Sequence, residues 1–145
     1  MKSLLIILFF VAFSNTNSCT NKNNTAVKSQ ENENQVTKKT TFSVIRLNGK
    51  DVSKRNLHIT FDEKQSSAYG HSGCNTFSSK YTEEGKTISF SFPIATKMYC
   101  EKNAAIEKEF FKTLIEVKTR VQKEDTLILK DGNKKELFFG VRSKE

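Results

Sequence analysis

From residue 42 to residue 141 the chain consists of short segments of period two, broken once by a single stretch of helical period. Phe42-Ser-Val-Ile-Arg-Leu47 and Leu57-His-Ile-Thr-Phe61 alternate apolar and polar residues, as half-buried strands do. Ser66 to His71, Thr76 to Tyr81 and Lys86 to Phe92 read as three more strands, with Ile88, Phe90 and Phe92 on one face. Asn48-Gly49, Asp62-Glu63-Lys64 and Glu83-Glu84-Gly85 supply turns. From Asn103 to Val117 the period changes. Ile106, Phe110, Leu114 and Val117 form a stripe that Phe111 and Ile115 widen, and Asn103 is placed to cap the helix start. Strands return at Arg120 to Lys123, Thr126 to Lys130 and Glu136 to Val141. The pattern predicts a mainly β fold, barrel-like and mostly antiparallel, with one α-helix packed on it. Residues 42–145 make one domain of common size.

The N-terminal end is of another kind. Lys2, the ten apolar residues Leu4 to Phe13, and the small polar run Ser14 to Ser18 have the layout of an export signal, residues 1–18. A membrane span needs about 20 apolar residues, and this run is half that. Ser18-Cys19 fits the end of a bacterial lipoprotein signal, although Thr16 stands where an aliphatic residue is usual. Lipidation at Cys19 is the preferred reading because it accounts for an odd cysteine; an ordinary cleavable signal is the alternative. It predicts a cell-envelope protein held to the membrane through Cys19, since each buried methylene contributes about 0.8 kcal/mol to such an anchor.

Residues 19–41 then read as a tether. Thr20 to Thr41 has only Ala26, Val27 and Val36 as apolar residues, too little to offset ordering entropy. As a flexible coil it reaches roughly 25 Å. The Asn23-Asn-Thr25 sequon reads as compositional accident.

Charge excludes little. Once the signal is removed, 23 basic side chains face 16 acidic ones; of that +7, residues 20–41 hold +2 and the domain +5. The lysines are scattered without interleaved aromatics, and export argues against nucleic acid as a partner. An envelope protein or a small ligand remains as partner, and the domain is expected to be a monomer.

Cys74 and Cys100 in an exported domain are most simply a disulfide, stabilising by roughly 3 to 4 kcal/mol through loop closure. A zinc reading would recruit His71, Cys74, Cys100 and distant His58, but the spacing matches no paired-ligand pattern, so no metal and no cofactor are expected. His58 reads as an exposed or edge-facing strand residue and His71 as a strand end. Gly70-His71-Ser72-Gly73 superficially matches a nucleophile elbow, yet Cys74 stands where the second glycine belongs. A Cys74 nucleophile would need a free thiol, for which Cys100 competes. No catalytic residue is assigned and no enzyme is expected. Gly70 and Gly73 read as backbone devices, for positive φ or a bulge, and Asn75 as a partner of backbone at the bend, with ligand binding as its alternative.

Ser72-Gly-Cys-Asn-Thr-Phe77, Tyr81 ahead of Gly85, Ile88 and Phe90, Ala95-Thr-Lys-Met-Tyr-Cys100, Glu107 three before Phe110, Leu114, and Thr126-Leu-Ile-Leu-Lys-Asp131 stand in an order and spacing that resembles the META/HslJ-like domain family of bacterial envelope lipoproteins. The resemblance covers residues 42–141. Phe42 departs from the usual tryptophan and Ser79 from a common glycine, changes expected to loosen the packing of the first strand. The resemblance implies a compact antiparallel barrel with one helix, an association with heat shock and antibiotic tolerance, and no established enzymatic activity. It also implies that Gly73, Asn75, Phe77, Thr96, Met98, Glu107, Phe110 and Leu114 are scaffold, with a groove-lining Glu107 as the alternative. The resulting expectation is a non-catalytic envelope module in stress tolerance; the runner-up is a module holding a small apolar molecule or peptide in the barrel mouth or helix groove.

Overall fold

A computed structural model describes residues 39–144; the signal, Cys19 and most of the tether lie outside the described residues. Ten strands and one helix follow in the order β1 (Lys39–Leu47), β2 (Lys50–Asp51), β3 (Leu57–Asp62), β4 (Ser67–Ser72), β5 (Thr76–Glu84), β6 (Thr87–Phe90), β7 (Ile94–Ala95), α1 (Ala104–Glu116), β8 (Thr119–Lys123), β9 (Thr126–Lys130) and β10 (Glu136–Arg142). All pairings are antiparallel. Eight strands run β1-β3-β4-β5-β6-β8-β9-β10, and β10 returns to β1, so the sheet closes as a barrel. The two-residue strands β2 and β7 are appended to β1 and β5. The β6–β8 junction is the narrowest, with Thr87 and Thr119 as its one paired position among the described residues.

Alternation accounts for the inward set. Thr40, Phe42 and Val44 point into β1's buried side, and a register shift against β10 between Val44 and Arg46 brings Leu47 inward as well. Phe42 is fully buried and meets Phe61 edge-on at 6.3 Å, so it packs in the barrel interior. The strand also begins at Lys39, three residues before the expected domain start. Lys39, Thr40 and Thr41 pair with Asp62, Phe61 and Thr60, because threonine suits a half-buried strand as well as an aliphatic residue does. The β1–β2 turn holds Asn48 and Gly49 at φ +50° and +79°, the left-handed pair that a two-residue hairpin requires.

The helix lies across one end of the barrel. Phe110 is fully buried between Phe77 of β5, at 5.1 Å, and Phe138 of β10, at 5.3 Å. Asn48 donates from Nδ2 to Thr113 Oγ1 at 2.9 Å, so a buried threonine joins the stripe, while Ile115, expected in it, is exposed. Asn103 precedes α1 without a side-chain cap bond. Its amide donates instead to Gly73 O at 2.6 Å and accepts from Arg55 at 3.1 Å.

The segment Lys86 to Phe92 differs most from expectation. β6 stops at Phe90, and only Ile88 and Phe90 are buried; Phe92 stands in solvent. Pro93 offers no N–H for a ladder, and the chain bends before it rejoins β5 as β7. Ser79 stitches the bend by donating to Ser91 O at 2.7 Å, a bond that a glycine there could not make.

Candidate functional site

At the α1 end the Ser72–Asn75 turn, the Thr96–Cys100 segment and Glu107 converge. Gly73 sits at φ +98° in the turn, and a Cβ there would press on Leu57 Cδ1 at 3.3 Å. Gly70 has a different reason to be glycine: a Cβ would lie 2.0 Å from the His58 carbonyl oxygen on β3, so the two strands approach too closely for a side chain.

Asn75 is the centre. Its Oδ1 accepts from Thr96 Oγ1 and from Met98 N–H, both at 2.7 Å. Its Nδ2 donates to Met98 O at 3.1 Å and to Glu107 Oε2 at 2.9 Å. Two donors and two lone pairs are all that an amide has, so the side chain is fully used. Its backbone N–H donates to Glu107 Oε1 at 3.0 Å, and Ser72 Oγ also donates toward that oxygen and toward Asn75 O. Glu107 thus ties α1 to the turn through both carboxylate oxygens. Charge-assisted bonds of this kind are worth about 1.5 to 3 kcal/mol each.

The Cys74–Cys100 disulfide closes the same unit, with Cα atoms 5.8 Å apart. Both sulfurs are therefore committed, which removes the thiol-nucleophile and zinc readings that needed them. Ser72 is fully buried and its hydroxyl is spent on Asn75 and Glu107, so the elbow reading has no exposed nucleophile either. Phe77, Phe110 and Leu114 are core. Met98 is divided: its backbone is locked by Asn75, but its side chain is in solvent.

His58 and His71 face each other across β3 and β4, with ring centroids 6.1 Å apart and nearly parallel planes. Burial, and then the charge of His71, hold the His58 imidazole below its usual 6.5. His71 Nδ1 lies 3.0 Å from Asn56 O and accepts from Gly73 N–H at 3.1 Å in one tautomer, which links the pair to the Gly73 turn.

At the opposite barrel end, where Asp62 pairs with Ser67, an open cleft of about 550 Å³ is lined by Glu63, Glu83, Lys86, Arg120, Gln122 and Lys123 among others. Arg120 points inward and is buried. Its guanidinium lies 4.1 Å from the Phe61 ring, bonds Glu83 Oε2 at 2.9 Å and donates to Gln122 Oε1 at 2.8 Å. Sequence reasoning placed Arg120 only in a strand. Charged residues are solvated by default, and nothing local marks one that a carboxylate two strands away allows inside.

A closed eight-stranded barrel with one helix, and a Ser72–Asn75 turn clamped to that helix by Glu107, agree with a family comparison in which the META domain matches residues 34–144. The chain belongs to the META domain family. Among solved structures, a DUF4847 family protein from Bacteroides vulgatus ATCC 8482 is 14% identical with a TM-score of 0.55, over 72% of this chain and 93% of that one. A protein from Burkholderia xenovorans is 21% identical with a TM-score of 0.57, over 77% of this chain and 86% of that one. At such identities the likeness is one of fold, and neither structure is described by an activity. No curated protein matches the chain. In this META domain Ser72, Asn75, Thr96, Met98 and Glu107 converge on one bonded unit, and the Asn75 side chain at its centre is fully used.

Proposed function

We propose that the chain is an exported envelope protein, lipid-anchored at Cys19, whose META domain is a non-catalytic contact module that supports tolerance of envelope stress. The observation that carries this reading is the saturation of Asn75: both amide hydrogens and both lone pairs are bonded within the protein, leaving nothing to hold or activate a substrate. Glu107 is likewise engaged on α1 rather than facing a groove. The signal-like residues 1–18 followed by Cys19 support export and anchoring.

The runner-up, an apolar ligand in the barrel mouth, has less support. The Phe42, Phe61, Tyr81 and Phe90 rings fill the interior against one another, and the Arg120 cleft is lined mostly by charged and polar groups. Intact-mass analysis of membrane-extracted protein tests the anchor: lipid on Cys19 is expected, and a soluble product with an unmodified Cys19 thiol refutes it. Survival of a deletion strain under heat and under envelope-directed antibiotics tests the role. Rescue by the wild-type chain but not by Cys19→Ser is expected; full viability of the deletion strain under both stresses would remove stress tolerance from the reading.

A further inference from the structure

Four large apolar side chains within eight consecutive residues stand in solvent: Phe92 is 81% exposed, Ile94 80%, Met98 61% and Tyr99 85%. Single apolar residues on a surface are ordinary, whereas four on one connection are not. The segment is held rather than loose. Ile94 and Ala95 pair with Ser78 and Phe77, Thr96 N–H donates to Thr76 O at 3.1 Å, Met98 is bonded through both backbone groups to Asn75, and Cys100 is joined to Cys74. The buried polar unit therefore fixes the backbone while the apolar side chains project. Phe92 and Ile94 flank buried Pro93, and both are in solvent.

The chemistry of the segment selects an occupant. Its exposed neighbours Ser91, Thr96 and Lys97, together with Thr76 and Ser78 on β5, are polar, so the apolar groups protrude from a polar ground and do not form a flat apolar face. A protein interface needs about 800 Å² per partner of complementary surface. A bilayer interface needs only protruding tips that enter the acyl boundary, with a phenol hydroxyl and ammonium groups left among the headgroups. Tyr99, Lys97 and Lys102 match that arrangement, against Glu101 as the acid among residues 97–102. Positive charge beside apolar tips favours an anionic surface.

We propose that residues 92–99 form a wedge that inserts into the headgroup region of an anionic bilayer, so that the domain contacts the membrane directly. This deepens the proposed envelope placement and rests on it only for bringing the domain within reach of a bilayer. The test uses the chain of residues 19–145 carrying Cys19→Ser, which has no lipid, in co-sedimentation with phosphatidylethanolamine–phosphatidylglycerol vesicles. Pelleting with these vesicles and not with pure phosphatidylcholine is expected. Phe92→Ser with Tyr99→Ser should lower the partition coefficient about tenfold or more, and Lys97→Glu alone about fivefold. Both variants change exposed side chains, and an unaltered thermal midpoint verifies that they fold. No pelleting, or equal pelleting of the double variant, overturns the proposal. So does a dimer in solution that the double variant dissolves, or a photo-cross-linker at position 99 that labels protein in native envelopes. Lipid on native Cys19 without vesicle binding by the Cys19→Ser chain sinks the wedge alone; vesicle binding without lipid on native Cys19 sinks the anchor alone.

Discussion

Asn75 and Met98 touch, yet they invert the usual assignment of polar and apolar groups. The asparagine amide is buried at 3% exposure, while the side chains of Met98 and neighbouring Tyr99 stand in water. The difference teaches that burial here follows bonding capacity. A polar group goes inside when every donor and acceptor finds a partner, and Asn75 finds four on its side chain alone. An apolar group stays outside when the backbone beneath it is fixed by such bonds and cannot turn it inward. The buried unit and the exposed segment are two consequences of one constraint.

Variants that separate the two halves should differ by an order of magnitude in stability. Asn75→Ala leaves the Thr96 hydroxyl and both Met98 backbone groups without their Asn75 partner and takes from the Glu107 carboxylate the bond at Oε2, and should cost about 4 kcal/mol in urea unfolding. A loss under about 1 kcal/mol would mean that water replaces the amide and that the inversion is only apparent. Replacing both Cys74 and Cys100 by serine opens a crosslink between residues 26 apart and should cost about 3.5 kcal/mol, read as a lowered midpoint of thermal unfolding. Thiol titration of the unfolded, unreduced chain should find neither of these cysteines free.

The exposed half should hardly respond. Phe92→Ser with Tyr99→Ser is expected to shift stability by no more than about 0.5 kcal/mol, because both side chains are already hydrated. A larger loss in calorimetry would reveal packing that the exposures deny. The smallest effect concerns pH. His58 has its folded value lowered, chiefly by burial, so its neutral form is favoured in the native state. Stability from this group is present above the unfolded value of 6.5 and is lost as pH falls from there through the folded value. The thermal midpoint should therefore drop slightly between pH 7.5 and pH 5, and His58→Gln should flatten that part of the profile. An unchanged slope in the variant would assign the drop to other groups.

Legibility in the sequence followed the range of the interaction. The alternation of β1, the α1 stripe and the Asn48-Gly49 turn depend on neighbours a few residues away, and these are readable; β3 is a strand as its pattern implies, but Thr60 and Asp62 on its polar side are buried as well. Ile88, Phe90 and Phe92 alternate without fault, yet the strand ends at Phe90; Pro93 was the local signal that pairing stops. Asn103 has the right residue type for a cap, but its amide is drawn to Gly73 O, 30 residues away, once barrel and helix meet. Neither the fourfold bonding of Asn75 nor the inward Arg120 has a local mark, since each partner set comes from separate elements.

By itself the sequence determined a mainly β domain with one helix and a pair of cysteines suited to a disulfide, because periodicity, turn residues and cysteine number act through short-range geometry and chain entropy. Tertiary structure decided that eight strands close a barrel, that Glu107 accepts from the Ser72–Asn75 turn, and that Phe92, Ile94, Met98 and Tyr99 face solvent. Those outcomes depend on which distant donors and acceptors come within about 3 Å, and hydrogen bonding at that range exists only after the chain has closed on itself.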